Sequence, residues 1–124
     1  RVLYEEMSLK KLQLLSEAIN NVEFFNNVVA FAYIESDAGL TEGLIEQIRA
    51  IKGVKVAVMV RKVDDLIKIS FRSIVKEISV RGLAAEFGGG GHDGAAGAKM
   101  ELTDFKLQVE QIRKAVKHFA EQIT

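Results

Sequence analysis

The hydrophobic pattern changes period several times along the chain, which predicts helices and strands that alternate. Near the start, one face of a predicted helix carries apolar residues at helical spacing, namely Leu9, Leu12, Leu15 and Ile19. Ser8 precedes them and is a suitable N-cap, because its hydroxyl can accept a hydrogen bond from a free backbone N–H. The pattern therefore predicts a leading amphipathic helix.

Two β-rich segments follow, Val22–Phe25 and Val28–Ile34, separated only by Asn26 and Asn27. Asparagine tolerates the positive φ angle of a tight turn, so these segments predict a β-hairpin. A second helix is predicted to begin at Thr41 and to end before Gly53. Its apolar positions are Leu44, Ile48 and Ile51.

The middle of the chain predicts a buried strand followed by a half-exposed one. The segment Val54–Val60 is almost wholly apolar, as central strands are, and a turn at Val63–Asp65 follows it. The segment Leu66–Arg72 alternates between apolar and polar residues, as a strand with one face in the core does. Its apolar face holds Ile67, Ile69 and Phe71, and its polar face holds Lys68, Ser70 and Arg72.

The last third predicts a short helix, a strand and a long helix. Ser79 is the expected N-cap of the short helix, which carries Val80, Leu83 and Phe87 on one side and ends at Gly88. A strand is expected near Ala96–Leu102. The closing helix has a regular apolar stripe of Phe105, Val109, Ile112, Val116, Phe119 and Ile123. Together these elements predict an α/β fold, with a mixed sheet of about five strands flanked by helices in a single domain over residues 1–124.

Composition narrows the function classes. Lysine plus arginine equals aspartate plus glutamate at 17 each, so the net charge is zero, which argues against a purely electrostatic grip on duplex DNA. The absence of cysteine excludes disulfides and thiolate metal sites and fits a reducing compartment, with the cytoplasm as the expected location. No apolar run is long enough for a membrane span. Because the first residue is Arg1 rather than methionine, we expect a piece of a longer protein.

Six of the ten glycines lie in the segment EFGGGGHDGAAGA, Glu86–Ala98. A flexible linker is disfavoured, because periodic apolar segments stand on both sides. A loose loop after a helix C-cap and an anion-binding nest of bare backbone N–H groups both remain open. The spacing matches neither the Rossmann fingerprint nor the P-loop.

Two side chains near this segment have phosphate-binding chemistry. His92 follows the glycines directly, where its ring could donate to a phosphate oxygen or stack on a base. Arg72 shares a predicted strand face with Ser70 and Lys68, and a guanidinium, a hydroxyl and an ammonium together can grip a phosphate. An arginine exposed to water at a strand end is the alternative for Arg72. His118 is interpreted as solvent-facing or structural.

The motifs SFRS at residues 70–73 and FGGGGHDGAAGA at residues 87–98 resemble the C-terminal substrate-binding domain of the DHH-superfamily phosphoesterases. The resemblance is strongest to the nanoRNase branch, whose members degrade short oligoribonucleotides and remove the 3′-phosphate from phosphoadenosine phosphate. The segments at residues 3–19 and 41–61 resemble the same branch, so the similarity covers nearly the whole chain.

The resemblance implies a division of labour between two domains. An N-terminal domain with an Asp-His-His motif would hold two manganese ions and perform the hydrolysis, while the C-terminal domain binds short single-stranded RNA or DNA, or phosphoadenosine phosphate. The residues that match the substrate-binding motifs are Ser70, Arg72 and Ser73, the loop Gly89, Gly90, Gly91 and His92, and the small floor Ala95, Ala96 and Gly97. The family often continues SFRS with a lysine-glycine loop, whereas this chain has Ile74, Val75 and Lys76.

The sequence contains no Asp-His-His motif. We therefore expect no catalytic residue and no metal or cofactor in this chain, and no hydrolysis by the chain alone. Two alternatives to the nanoRNase interpretation stay open. One is the substrate domain of a cyclic-dinucleotide phosphodiesterase, and the other is a non-catalytic RNA-binding or assembly module like those appended to alanyl-tRNA synthetases.

Overall fold

The structure, a computed structural model, describes residues 9–35 and 43–124. Within those residues it has four helices and six strands. They run in the order α1 (Leu9–Asn20), β1 (Glu23–Phe25), β2 (Val29–Ile34), α2 (Ile45–Arg49), β3 (Val56–Val63), β4 (Leu66–Ser73), α3 (Arg81–Ala85), β5 (Gly90–Gly91), β6 (Ala95–Glu101) and α4 (Phe105–Gln122).

The strands form one mixed sheet in the order β1-β2-β3-β4-β6-β5. Only β2 and β3 run parallel, and the other neighbours are antiparallel. The predicted α/β fold with a mixed sheet is therefore confirmed. The sixth strand, β5, lies inside the glycine run, where the sequence has no hydrophobic alternation to reveal a strand.

Both predicted turns take the backbone conformation that their residues favour. Asn26 and Asn27 have φ angles of 52° and 60°, which is the left-handed pair that a tight hairpin between β1 and β2 requires. Asp64, between β3 and β4, has a φ angle of 53°. These turns bring each strand back beside its predecessor, so β1–β2 and β3–β4 are local hairpins.

The sheet separates two hydrophobic cores. On one side α3 and α4 cover alternate residues of the strands, including Phe31, Val58, Ile69, Phe71 and Ala96. On the other side α1 and α2 cover the remaining positions of β2 and β3, including Ala30, Ala32, Ile34, Ala57 and Met59. The period of two along β4 is strict, and it sends Ile67, Ile69 and Phe71 into the first core.

The closing helix α4 follows its predicted stripe, with Phe105, Val109, Ile112 and Val116 buried. Its first turn is capped by Asp104, whose carboxylate accepts a hydrogen bond from the backbone N–H of Leu107 at 3.2 Å. On α4, Arg113 forms an ion pair with Glu23 of β1 at 2.8 Å. The hydrogen bond to the Glu23 carboxylate raises the pKa of Arg113. The ion pair links α4 to the edge of the sheet.

Three helices differ from the sequence prediction. The N-cap of α3 is Val80 rather than Ser79, because the helix begins one residue later, and the Ser79 hydroxyl accepts a hydrogen bond from the N–H of Arg81 at 3.2 Å. In α1 the residues that enter the core are Leu14 and Ala18, while Leu9, Leu12 and Ile19 are exposed. Leu14 and Ala18 share a core with small residues of the sheet beneath, Ala30, Ala32 and Ala57. The helix α2 begins at Ile45, later than predicted, and Ser8 and Thr41 lie outside the described residues.

None of the helices that the structure describes is long and apolar enough to cross a membrane.

Candidate functional site

One side of the sheet is covered over only part of its width. Among the described residues, the core beneath α1 and α2 includes positions from β2 and β3 but none from β4, β5 or β6. We call the uncovered part the open face. It has three rows that cross the strands: Arg72, Ala95 and His92 in the first, Ser70, Gly97 and Gly90 in the second, and Arg61, Lys68 and Lys99 in the third. Arg61 stands on β3 at the border of this face and is 9% exposed.

The first row is anchored by Arg72 at the edge of the open face. Its Nη1 donates to the carbonyl oxygen of Phe71 at 3.0 Å, and its Nε donates to the carboxylate of Glu46 on α2 at 3.2 Å. The other oxygen of Glu46 pairs with Nε of Arg49 at 2.6 Å. Because a guanidinium has five N–H donors, Arg72 is held in place and still has donors for an anion.

His92 closes the hairpin between β5 and β6 at the other end of the first row. Its backbone N–H donates to the carbonyl oxygen of Ala95 at 2.8 Å, and its carbonyl oxygen accepts from the N–H of Ala95 at 3.3 Å. The next residue, Asp93, accepts a hydrogen bond from the Ser79 hydroxyl at 2.8 Å. The turn is thus fixed to the start of α3, while the His92 side chain is exposed.

At two positions of the glycine run, the packing of the chain leaves no space for a side chain. A Cβ atom at Gly89 would collide with the carbonyl oxygen of Gly97, and one at Gly91 would lie 2.7 Å from the carbonyl oxygen of Ala95. Gly91 also has a φ angle of 144°. By contrast, a Cβ atom at Gly90 would meet nothing within 4 Å. Close pairing with β6 explains Gly89 and Gly91, but it does not explain Gly90, which belongs to the open face.

The third row lines a cleft with a volume of about 410 Å³. Arg61, Lys68 and Lys99 supply its charge, and Ser70 and the glycines Gly88, Gly89 and Gly97 contribute to its wall. Sequence reasoning missed Arg61 and Lys99 as site residues. The spacing of two from Gly97 places Lys99 on the same strand face as the predicted floor, but Arg61 follows the buried Met59 at that spacing and has no such signal.

Two of the residues singled out from the motifs lie on the other side of the sheet. Ser73 is buried, and its hydroxyl donates to the carbonyl oxygen of Val75 at 2.9 Å. Ala96 belongs to the core beneath α3 and α4. The structure therefore gathers Ser70, Arg72, Gly90, His92, Ala95 and Gly97 on the open face, with Gly89 and Gly91 beside them in the glycine run.

The acidic and histidine side chains do not converge. Within residues 9–35 and 43–124, no group of three or more histidine, cysteine, aspartate or glutamate residues is placed to hold a metal ion. The side chains of this part of the chain therefore do not fit a di-metal centre. The open face instead carries positively charged side chains and hydrogen-bond donors, and such groups suit an anionic ligand.

The comparison with known families identifies this architecture. Residues 26–122 match the DHHA1 domain. The chain belongs to the DHHA1 domain family. Among curated proteins, this DHHA1 domain is 32% identical over 109 residues to the bifunctional oligoribonuclease and PAP phosphatase NrnA of Thermus thermophilus. That alignment covers 85% of the chain and 33% of NrnA, so the DHHA1 domain spans about a third of its relative's length.

Two solved structures share the fold. An exopolyphosphatase-related protein from Bacteroides fragilis is 27% identical with a TM-score of 0.74, and the match covers 96% of this chain and 38% of that one. The C-Ala domain of alanyl-tRNA synthetase from Aquifex aeolicus is 18% identical with a TM-score of 0.57, over 82% of this chain and 96% of that one. At that identity the second likeness concerns the fold alone.

Proposed function

We propose that this DHHA1 domain is the substrate-binding part of a larger, two-domain phosphoesterase of the DHH superfamily. Its substrates would be short single-stranded oligonucleotides or phosphoadenosine phosphate, the chemistry named for the NrnA relative. The observation that carries the proposal is the first two rows of the open face, where Arg72, Ser70 and His92 surround a floor of alanine and glycine. Small residues between polar ones leave room for a phosphate and its sugar.

Each of these side chains has a definite task in the proposal. The remaining N–H donors of Arg72 bind phosphate oxygens, because a planar guanidinium matches the geometry of two oxygens at once. The Ser70 hydroxyl and the bare backbone at Gly90 add neutral contacts, and the exposed His92 ring contacts a phosphate or stacks on a base. The result is orientation of the substrate and neutralisation of its charge.

In this proposal the bond-breaking step belongs to a DHH domain elsewhere in the whole protein. That domain would hold the metal ions, with manganese as the expected metal, and these would supply an activated water. The DHHA1 domain would close over the substrate from the other side. We propose the cytoplasm as the site of action, because a chain without cysteine is suited to a reducing compartment.

The test is the affinity of this chain for AMP, measured by NMR titration with wild type, Arg72→Ala and Arg72→Lys. We expect Arg72→Ala to weaken binding by about 1.5–3 kcal/mol, the range for a hydrogen bond to a charged group. Arg72→Lys should recover only part of this, because an ammonium lacks the planar fork. Lys117→Ala on α4 is the control for removal of one positive charge. Equal AMP affinity in wild type and Arg72→Ala would contradict the proposal.

A further inference from the structure

The third row places three cations side by side across three neighbouring strands. Arg61 of β3 lies directly opposite Lys68 of β4, which in turn lies directly opposite Lys99 of β6. Like charges at directly opposite positions destabilise a sheet. Among the residues that the structure describes, none forms a hydrogen bond or ion pair with the side-chain amine of Lys68 or Lys99. The juxtaposition of the Lys68 and Lys99 side chains therefore opposes folding unless an anion offsets it.

The same three cations line one cleft. Its volume is about 410 Å³, and the backbone of Gly88, Gly89 and Gly97 forms part of the wall. The N–H groups of Gly88 and Gly89 donate to the carbonyl oxygens of Ala85 and Ala84, each at 3.0 Å, so the glycines give this wall space without side chains while its positive charge comes from the three cations. The next residue of β6 on this face, Glu101, makes no ion pair with Lys99 and bounds the cluster at the far end.

This cluster is separate from the Arg72 end of the open face. Lys68 and Arg72 are four residues apart on β4, which corresponds to about 13 Å along a strand. Between them lies the second row, whose Ser70, Gly97 and Gly90 have small side chains or none. A single phosphate group is too small to contact both Arg72 and the third row. The space over the second row, between them, is free for a sugar and a base.

We propose that Arg61, Lys68 and Lys99 form a second anion subsite that binds another phosphate of the same ligand. The inference rests on the proposed function for the first subsite at Arg72. It deepens that function by naming the ligand class, a short single strand with several phosphates in preference to a mononucleotide. Arg72 holds one phosphate, the glycine and serine row accommodates the intervening nucleoside, and the three cations hold a phosphate further along the strand.

The experiment compares two probes, AMP and 5′-phosphorylated triadenylate, on the same 124-residue chain in EDTA. The test variant is Lys68→Gln/Lys99→Gln, and Lys114→Gln/Lys117→Gln on α4 is the control with the same change of charge. We expect the test variant to bind triadenylate about five- to tenfold more weakly, since each exposed charge pair adds a modest amount, and to bind AMP within about twofold of wild type. The salt dependence of triadenylate binding should also fall, by about 0.7 in logarithmic slope for each phosphate that the variant no longer neutralises.

The outcomes separate this inference from the proposed function. Unchanged triadenylate affinity in the test variant, or an equal weakening of AMP binding, would overturn the second subsite. An equal weakening of triadenylate binding in the control variant would overturn it too, because the effect would then reflect net charge alone. AMP binding that does not depend on Arg72 would overturn the proposed function instead.

Discussion

Adjacent glycines in the run Gly89–Gly91 meet different demands. Gly89 and Gly91 lie so close to β6 that neither has space for a side chain, and the φ angle of Gly91 disfavours one as well. Gly90 has space and an unstrained backbone, yet it belongs to the open face. The structural requirement for glycine at Gly91 can therefore be tested separately from the proposed ligand contact at the neighbouring Gly90.

We expect Gly90→Val to unfold at nearly the wild-type temperature and to lose affinity for AMP, because its side chain would stand where the ligand lies. Gly91→Ala should lower the free energy of unfolding by at least about 1–2 kcal/mol, the scale of the left-handed penalty for a residue with a Cβ atom. Thermal melts and AMP titrations on both variants check this. A Gly90→Val variant that melts early and keeps its affinity would show that Gly90 is structural.

Strand alternation predicts which residues of one strand share a face of the sheet. A contiguous motif does not, because it also includes residues that lie on the opposite face. A spacing of two places Ser70 and Arg72 on one face, and the structure agrees. The motif SFRS groups Ser73 with them, but an odd spacing sends it to the opposite face. Arg61 and Lys99 reach Lys68 only through the pairing of β3, β4 and β6. That register arises from contacts between distant segments, so no local pattern reveals it.

At the scale of whole elements, α2 controls the edge of the open face. This five-residue helix stands beside β3, and its Glu46 reaches across to Arg72 of β4. The carboxylate holds the Nε donor and partly neutralises the guanidinium whose remaining donors we propose for a phosphate. In that proposal Glu46 competes with a negatively charged ligand for the charge of Arg72.

We expect Glu46→Gln to bind AMP about two- to fivefold more tightly, since an exposed ion pair contributes only about 0.2–1 kcal/mol. Glu121→Gln on α4 is the control for the change of net charge, and the gain should shrink in an Arg72→Ala background. Isothermal titration of wild type and these variants provides the measurement. Weaker AMP binding by Glu46→Gln would mean that the carboxylate positions Arg72 rather than competing for it.

Elements with a strong hydrophobic period are predictable from the sequence, and elements without one are not. The stripe of α4 and the alternation of β4 both match the structure, because each buries the side chains that the period selects. β5 has no side chains and so has no pattern. In α1 the apolar residues span too wide an arc for the sequence to single out Leu14 and Ala18 as the packed edge.

At the scale of the molecule, the helices divide the sheet into a packed part and a binding part. One side is covered by α3 and α4, while α1 and α2 cover β2 and β3 on the other. The uncovered strands carry arginine, lysine and serine rather than a cluster of carboxylates and histidines. Among the described residues, the side chains of this surface form no group that could hold two metal ions.

We expect the purified 124-residue chain to release no mononucleotide or phosphate from labelled dinucleotide or phosphoadenosine phosphate in the presence of manganese. The physical reason is that the residues described by the structure include no ligand group for two metal ions about 3.5–4 Å apart. Joining a DHH domain to the same chain should restore cleavage through a high effective concentration of the two halves. Steady turnover by the chain alone, surviving repeated purification and proportional to its concentration, would contradict this expectation.

The sheet ends on both sides in very short strands, of three residues in β1 and two in β5. A long unpaired edge strand is a template on which another chain can add, and this is a common route to aggregation. The glycine pair shields part of β6, whose seven residues would otherwise form such an edge. Loss of the β5 pairing would lengthen the unpaired edge of β6, so we expect heating that opens this pairing to favour self-association.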